Sequence, residues 1–316
     1  MTKLEVLAEY GFKRDPFKAL VMETADFTRV KRILSLAIES KAMISIIADR
    51  GFGKSDALEL AIKDKDYSIV RVTPNDKEEI KVGDIEQEII LKLSQESVKR
   101  TRVIRTHQVR RLLGEESRQR PVIIIIEEAH RIKGQTLRSL KTMREMEWMG
   151  IRPLATIVMI GQYDPMRKRG VEEVDLRTDT FFMKGLTSHE IKKYIDTTVG
   201  NFFEPDAISA IAKLKEARNF LELQKILTSV MSYALEIGKK KVTTMEVFEL
   251  YGGGLKELLK ITNSTIGDIS KETGLPRSTV SMNINNQQGT MSDKTFNNDR
   301  QTISDILKKK IEEKVA

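Results

Sequence analysis

Apolar residues follow two rhythms along this chain. Between residues 27 and 200, short aliphatic runs alternate with stretches of helical period; the runs are 43–48, 68–72, 122–126 and 156–160, with a weaker one at 180–183. Runs that are apolar at successive positions predict strands covered on both faces. Their alternation with helices predicts a mainly parallel sheet. From 187 to 251 only the helical period remains, over 188–199, 206–215, 221–237 and 244–251. Thr187 and Thr243 stand where N-caps are expected, and Glu190 has capping-box spacing from Thr187. Gly252, Gly253 and Gly254 then break both rhythms and predict a hinge. The expected fold is α/β, a parallel-sheet domain over 1–186 followed by a small all-α domain over 187–251. The hinge and a second all-α domain occupy 252–316.

Composition narrows the chemistry. The 316 residues include no cysteine, which excludes disulfides and thiolate metal sites. The three histidines, His107, His130 and His189, are too scattered for a zinc site. No apolar run approaches the roughly 20 residues of a membrane helix. The amino terminus lacks a signal-peptide core. A soluble, cytoplasmic chain with no membrane partner is expected. Lys and Arg number 54 against 46 Asp and Glu, a net charge of +8, which leans toward a polyanionic partner.

The most informative stretch is 45–55, where an apolar strand runs into Asp49-Arg50-Gly51-Phe52-Gly53-Lys54-Ser55 and a helix opens at Asp56. Glycines let backbone N–H groups converge on phosphate oxygens, and a helix N-terminus adds partial positive charge. Lys54 would reach the outer phosphates and Ser55 would ligate Mg²⁺. The pattern departs from G-x-x-x-x-G-K-[ST] at one place, Ala48 standing for the first glycine. Such a loop needs a carboxylate at the end of another buried strand. Glu127 and Glu128 close the aliphatic run 122–126. Glu127 would hold Mg²⁺, and Glu128 would orient and deprotonate the attacking water. ATP and Mg²⁺ are the expected cofactors.

These residues resemble the AAA+ ATPases, in particular the ExeA-like and transposition-regulator branch. Gly11-Phe12 and Asp15-Pro16-Phe17 precede the phosphate loop as they do there. Ile126-Glu127-Glu128-Ala129-His130-Arg131-Ile132 is similar to that branch's IDEAHRL, with Glu127 in place of Asp. The resemblance implies a sensor 1 role for Gln162, near the γ-phosphate, and an arginine finger at Arg177. Arg167 and Arg169, a few residues upstream, compete for that role. It further implies an α-helical lid from Leu186-Thr187 onward. The lid's sensor 2 register falls on Glu222, which leaves Arg218 as a substitute or the role unfilled.

In the last domain, Ile266, Ile269, Leu275, Val280 and Ile284 have helix-turn-helix spacing, with Gly274 at the turn. The second helix would present Arg277, Ser278, Thr279, Ser281 and Asn283 to phosphates and base edges. Helices over 255–261 and 302–314 would flank the pair, with a loop over 283–300. A three-helix domain used for protein contact is the alternative. The motif resembles the helix-turn-helix of the Mu B family, although there it precedes the ATPase. A second basic stretch, 99–120, offers Lys99, Arg100, Arg102 and Arg105 either to DNA phosphates or simply to solvent.

The combined expectation is an oligomerising DNA-binding ATPase, a ring or helical filament, that selects target DNA and activates a DDE-type transposase. Its partners would be double-stranded DNA, the transposase and other copies of the chain. An ExeA-like secretion or signalling ATPase without a DNA role, and a nucleotide-gated transcription regulator, are the two rivals.

Overall fold

The computed structural model describes residues 1–18, 22–63, 65–74, 79–251, 255–285 and 291–315. The expected glycine hinge, 252–254, lies outside the described residues. The chain divides into two compact units, Met22–Thr187 with Arg218–Leu221, and Met1–Val21 with Ser188–Ala217 and Glu222–Ala316. Residues 1–21, which sequence position attaches to the α/β domain, thus group with the helical unit.

The first unit is built on five strands, β1 (Met43–Ile47), β2 (Ser68–Val72), β3 (Val122–Ile126), β4 (Thr156–Gly161) and β5 (Thr178–Phe182). They form one parallel sheet in the order β2-β3-β4-β1-β5. Successive side chains of a strand point to opposite faces, so each run feeds two cores. Val122, Ile124 and Ile126 join Met43, Ile157 and Met159 on one side. Ile123 and Ile125 join Ile44, Ile46, Val158 and Ile160 on the other. Every residue of β1, β3 and β4 is buried, whereas edge strand β5 is only partly so. That difference explains why the 180–183 run is the weak one. Trp148 follows the helix Gly134–Arg144 and pairs with Ile151. Its ring fills the place where Gly114 has no Cβ.

Among its described residues, the elements of the second unit are all helices. Its N-terminal part is tied in by the Tyr10 hydroxyl, which donates to the Met231 carbonyl at 3.2 Å, and by Phe17 stacked on Tyr194. Leu255, Leu258, Ile269, Val280, Ile284, Ile303 and Leu307 form a small core of their own, with Phe248 packed against it. The helices Ile266–Thr273 and Arg277–Ile284 flank Gly274, whose φ of 71° is the left-handed conformation glycine adopts without strain. The expected loop over 283–300 is corrected: the last helix starts at Asp293 and runs to Val315. Its first turns are rich in Asn and Asp and carry little apolar period. Ser292 nevertheless accepts from the Thr295 amide at 3.2 Å, and Phe296 is buried, which starts the helix nine residues early. Among the described residues, no helix is long and apolar enough to cross a membrane.

Candidate functional site

Parallel strands deliver the loops after β1, β3 and β4 to one edge of the sheet, and β4 lies between the other two. Crevices at this C-terminal edge, where chain order reverses, are where α/β sheets hold ligands. The loop after β1 turns on Gly51 (φ 89°) and Gly53 (φ 76°), and the helix Lys54–Ile62 begins directly behind Gly53. The Lys54 ammonium donates to the carbonyls of Ala48 at 2.6 Å and Asp49 at 2.7 Å. Burial holds its pKa below the usual lysine value, against the opposing pull of Glu128 and Asp49. Ser55 and Asp56 are exposed at the helix start. Two left-handed glycines, the amides at a helix start and a lysine suit the phosphates of a nucleotide. Ser55 and Glu127 are the oxygen donors suited to Mg²⁺.

Glu127 follows β3 and its amide donates to Val72 at 3.0 Å. Its carboxylate also faces the Arg71 guanidinium at 3.4 Å, and Arg71 in turn pairs with Glu59. Glu128 adopts φ 50°, a strained conformation for a residue with a side chain. His130 Nε2 stands 3.5 Å from its Oε2. Gln162 is half-buried directly after β4. A Cβ on Gly161 would meet the His130 nitrogen at 3.3 Å, so the ends of β3 and β4 approach closely.

Arg177 lies elsewhere. It precedes β5, where Thr178 pairs with Met43 at the start of β1, so it sits at the edge opposite the phosphate loop. Five residues of strand, roughly 16 Å, separate the two ends. The Arg177 guanidinium donates to the Glu173 carbonyl at 2.8 Å and lies 3.7 Å from Glu145. Arg167, Arg169 and Arg177 are all exposed.

Two expected DNA contacts are corrected. Asn283 is fully buried, and its amide donates to the Thr279 carbonyl at 3.0 Å. It packs inside the small core, whereas Arg277 and Ser278 are exposed and Thr279 and Ser281 half-buried. Arg105 donates to the buried Glu86 carboxylate at 2.8 Å, which commits its charge to the protein. Lys99, Arg100 and Arg102 remain exposed, and the helix begins at Arg102, leaving Lys99 and Arg100 ahead of it.

The structure also adds residues that pattern reading passes over. Asn219 donates to the Arg50 carbonyl at 2.7 Å, and the Phe220 amide donates to the Gly51 carbonyl at 3.0 Å. The Phe220 ring lies beside Gly53. No local signal links 219–220 to 50–53, because the contact spans 169 residues of sequence. Lys168 donates to the carbonyls of His130, at 2.9 Å, and Ile132. For His130 a signal existed, two residues after Glu128.

Residues 37–169 match the family model described as AAA domain. No curated protein matches the chain. Cdc6p from Pyrobaculum aerophilum has a similar structure, with a TM-score of 0.56 at 14% identity, covering 98% of each chain. The ORC2 protein of Aeropyrum pernix, solved as ADPNP–ADP complexes, gives 0.53 at 11% identity, covering 96% of this chain and 98% of that one. At such identities the likeness is one of fold. The matched stretch holds β1 to β4 and the loops that follow β1 and β3.

Proposed function

We propose that the chain is an ATP-hydrolysing AAA+ protein that binds double-stranded DNA as an oligomer and acts as a transposition accessory factor. The carrying observation is the placement of the phosphate loop, Glu127, Glu128 and Gln162 at one sheet edge with Arg177 at the other. Lys54 and the loop amides bind the phosphates. Ser55 and Glu127 hold Mg²⁺, which neutralises phosphate charge when bound. Glu128 takes the proton of the attacking water, and Gln162 orients the γ-phosphate. Arg177 cannot serve the site of its own chain, so it completes the site of a neighbour, and a homo-oligomer follows.

DNA enters through the net charge of +8, through exposed Lys99, Arg100 and Arg102, and through Arg277 and Ser278 on the second helix of the helix-turn-helix. The resemblance of Glu127–Ile132 to the transposition-regulator pattern supports the choice of a DDE-type transposase as partner. The test is Glu128→Gln in plain ATP on duplex DNA. It is expected to bind ATP, to hydrolyse it slowly and to form DNA complexes that outlast the wild type's. Turnover equal to the wild type's would overturn the hydrolytic assignment. Salt-independent or absent DNA binding would overturn the DNA role and favour the ExeA-like rival.

A further inference from the structure

We propose that His130 is a positioning residue for Glu128, donating from Nε2 to hold the carboxylate that accepts the proton from water. This rests on the ATPase reading of the site.

The Glu128 carboxylate hangs from a backbone in the left-handed region, φ 50°, within the turn closed by Arg131 N–H to Glu128 O at 2.8 Å. A base in a strained, partly exposed turn needs a partner to fix which oxygen faces water. Nε2 of His130 lies 3.5 Å from Oε2, a separation that a small rotation closes to a hydrogen bond.

The rest of the imidazole points to the same role. Nδ1 is buried and has no hydrogen-bond partner among the described residues. The ring meets Glu128 through its other nitrogen, Nε2. Burial pushes the His130 pKa below the usual histidine value, with Arg131, Lys168 and Lys54 adding to the effect and Glu128 opposing it. The ring is therefore neutral at pH 7 and carries one N–H. A carboxylate only accepts, so that hydrogen belongs on Nε2 and the bare Nδ1 faces the interior.

The ring is also braced. Tyr163, one residue past Gln162, meets it edge-on at 5.8 Å and 88°. Lys168 holds the carbonyls of His130 and Ile132, and Gly161 lies against the His130 amide. The base and sensor loops are thus joined at His130. In the reaction the proton passes from water to the free oxygen of Glu128, while the Nε2–H stays on His130.

The first arm of the test uses the nucleotide-free protein. Long-range ¹H–¹⁵N spectra of its three histidines, assigned with His107→Gln and His189→Gln, read the tautomer. His130 is expected as the Nε2–H form, with a shift that moves in Glu128→Gln. An Nδ1–H form, or no response to Glu128→Gln, overturns the proposal. The second arm compares His130→Gln, whose amide nitrogen replaces Nε2, with His130→Leu. The leucine variant should lose about 10- to 100-fold in kcat, the size of effect seen when supporting residues are removed. Its Kd for a fluorescent ATP analogue should be unchanged, and the glutamine variant should recover most of the rate. Equal losses in both variants, or a matching loss of nucleotide affinity, overturn it. A wild type without turnover would sink the ATPase reading alone, because the tautomer arm still decides the His130–Glu128 pairing.

Discussion

The amide of Phe220 donates to the carbonyl of Gly51 across 3.0 Å, and Asn219 donates to the neighbouring Arg50 carbonyl. The phosphate loop is therefore braced from behind by a segment far along the chain. Its fit depends on Gly51 having no side chain. A Cβ there would lie 2.3 Å from Asn219 Oδ1 and 2.9 Å from Leu221 Cγ, at φ 89°.

Gly51→Ala is thus expected to cost about 2–4 kcal/mol, roughly 1–2 for the left-handed backbone and the rest for overlap. Urea unfolding measures it. Adding Asn219→Ala should return only part of the loss, since the backbone strain remains. Full recovery would show that crowding alone matters.

Lys54→Ala removes an ammonium that bridges two loop carbonyls and that the proposed function assigns to phosphate. Nucleotide affinity should fall by about 100-fold or more, close to 3 kcal/mol, the upper range for charge-assisted hydrogen bonds. Equilibrium titration of a fluorescent nucleotide reads this directly. An unchanged Kd would remove the phosphate-loop assignment.

Much of this site was legible because its chemistry is local. Buried β1 and β3 read as plain aliphatic runs; Glu127-Glu128 directly follow β3, and only the loop 48–53 separates β1 from Lys54-Ser55. What stayed hidden was long-range. Asn219 meets Arg50, and Arg105 meets Glu86, through folding that no periodicity encodes. Asn283 misleads for a related reason: a polar residue on a short helix reads as outward, yet its amide caps its own helix's Thr279 carbonyl inside a small core.

That correction separates two residues of the helix Arg277–Ile284. Arg277→Ala should weaken duplex binding and reduce the salt slope by about 1. Asn283→Ala should instead lower the melting temperature of the protein while leaving the salt slope alone. A changed slope in Asn283→Ala with unchanged melting would restore it to the DNA face.

Glu246 supplies a pH dependence in the helical unit. It is almost fully buried, and burial alone would raise its pKa. Hydrogen bonds from Lys239 at 2.8 Å and from Thr243 outweigh that and bring it below the usual glutamate value. A depressed carboxyl stabilises the fold above its unfolded pKa and loses that contribution as pH falls through the folded one. Glu246→Gln should therefore be less stable than wild type at pH 7, by about 1–3 kcal/mol. The gap should close in acid. A gap independent of pH, measured by urea unfolding from pH 7 to 3, would contradict the ionised pairing.

Arg177 carries the sharpest prediction about assembly. It stands at the sheet edge opposite Lys54, and its guanidinium rests on the Glu173 carbonyl and beside Glu145. Weak, exposed contacts of that kind release easily to a stronger anion on a neighbouring copy. Arg177→Ala should bind nucleotide normally but lose about 10³-fold in turnover, as transition-state charge goes uncompensated. Glu128→Gln should be inactive for the opposite reason. Mixing the two should restore part of the activity, because some interfaces then pair an intact Glu128 with an intact Arg177. Steady-state phosphate release across mixing ratios should peak at intermediate composition. If co-assembled mixtures stay inactive at every ratio, Arg177 is not the finger, and Arg167 and Arg169, both exposed, are the next to be replaced.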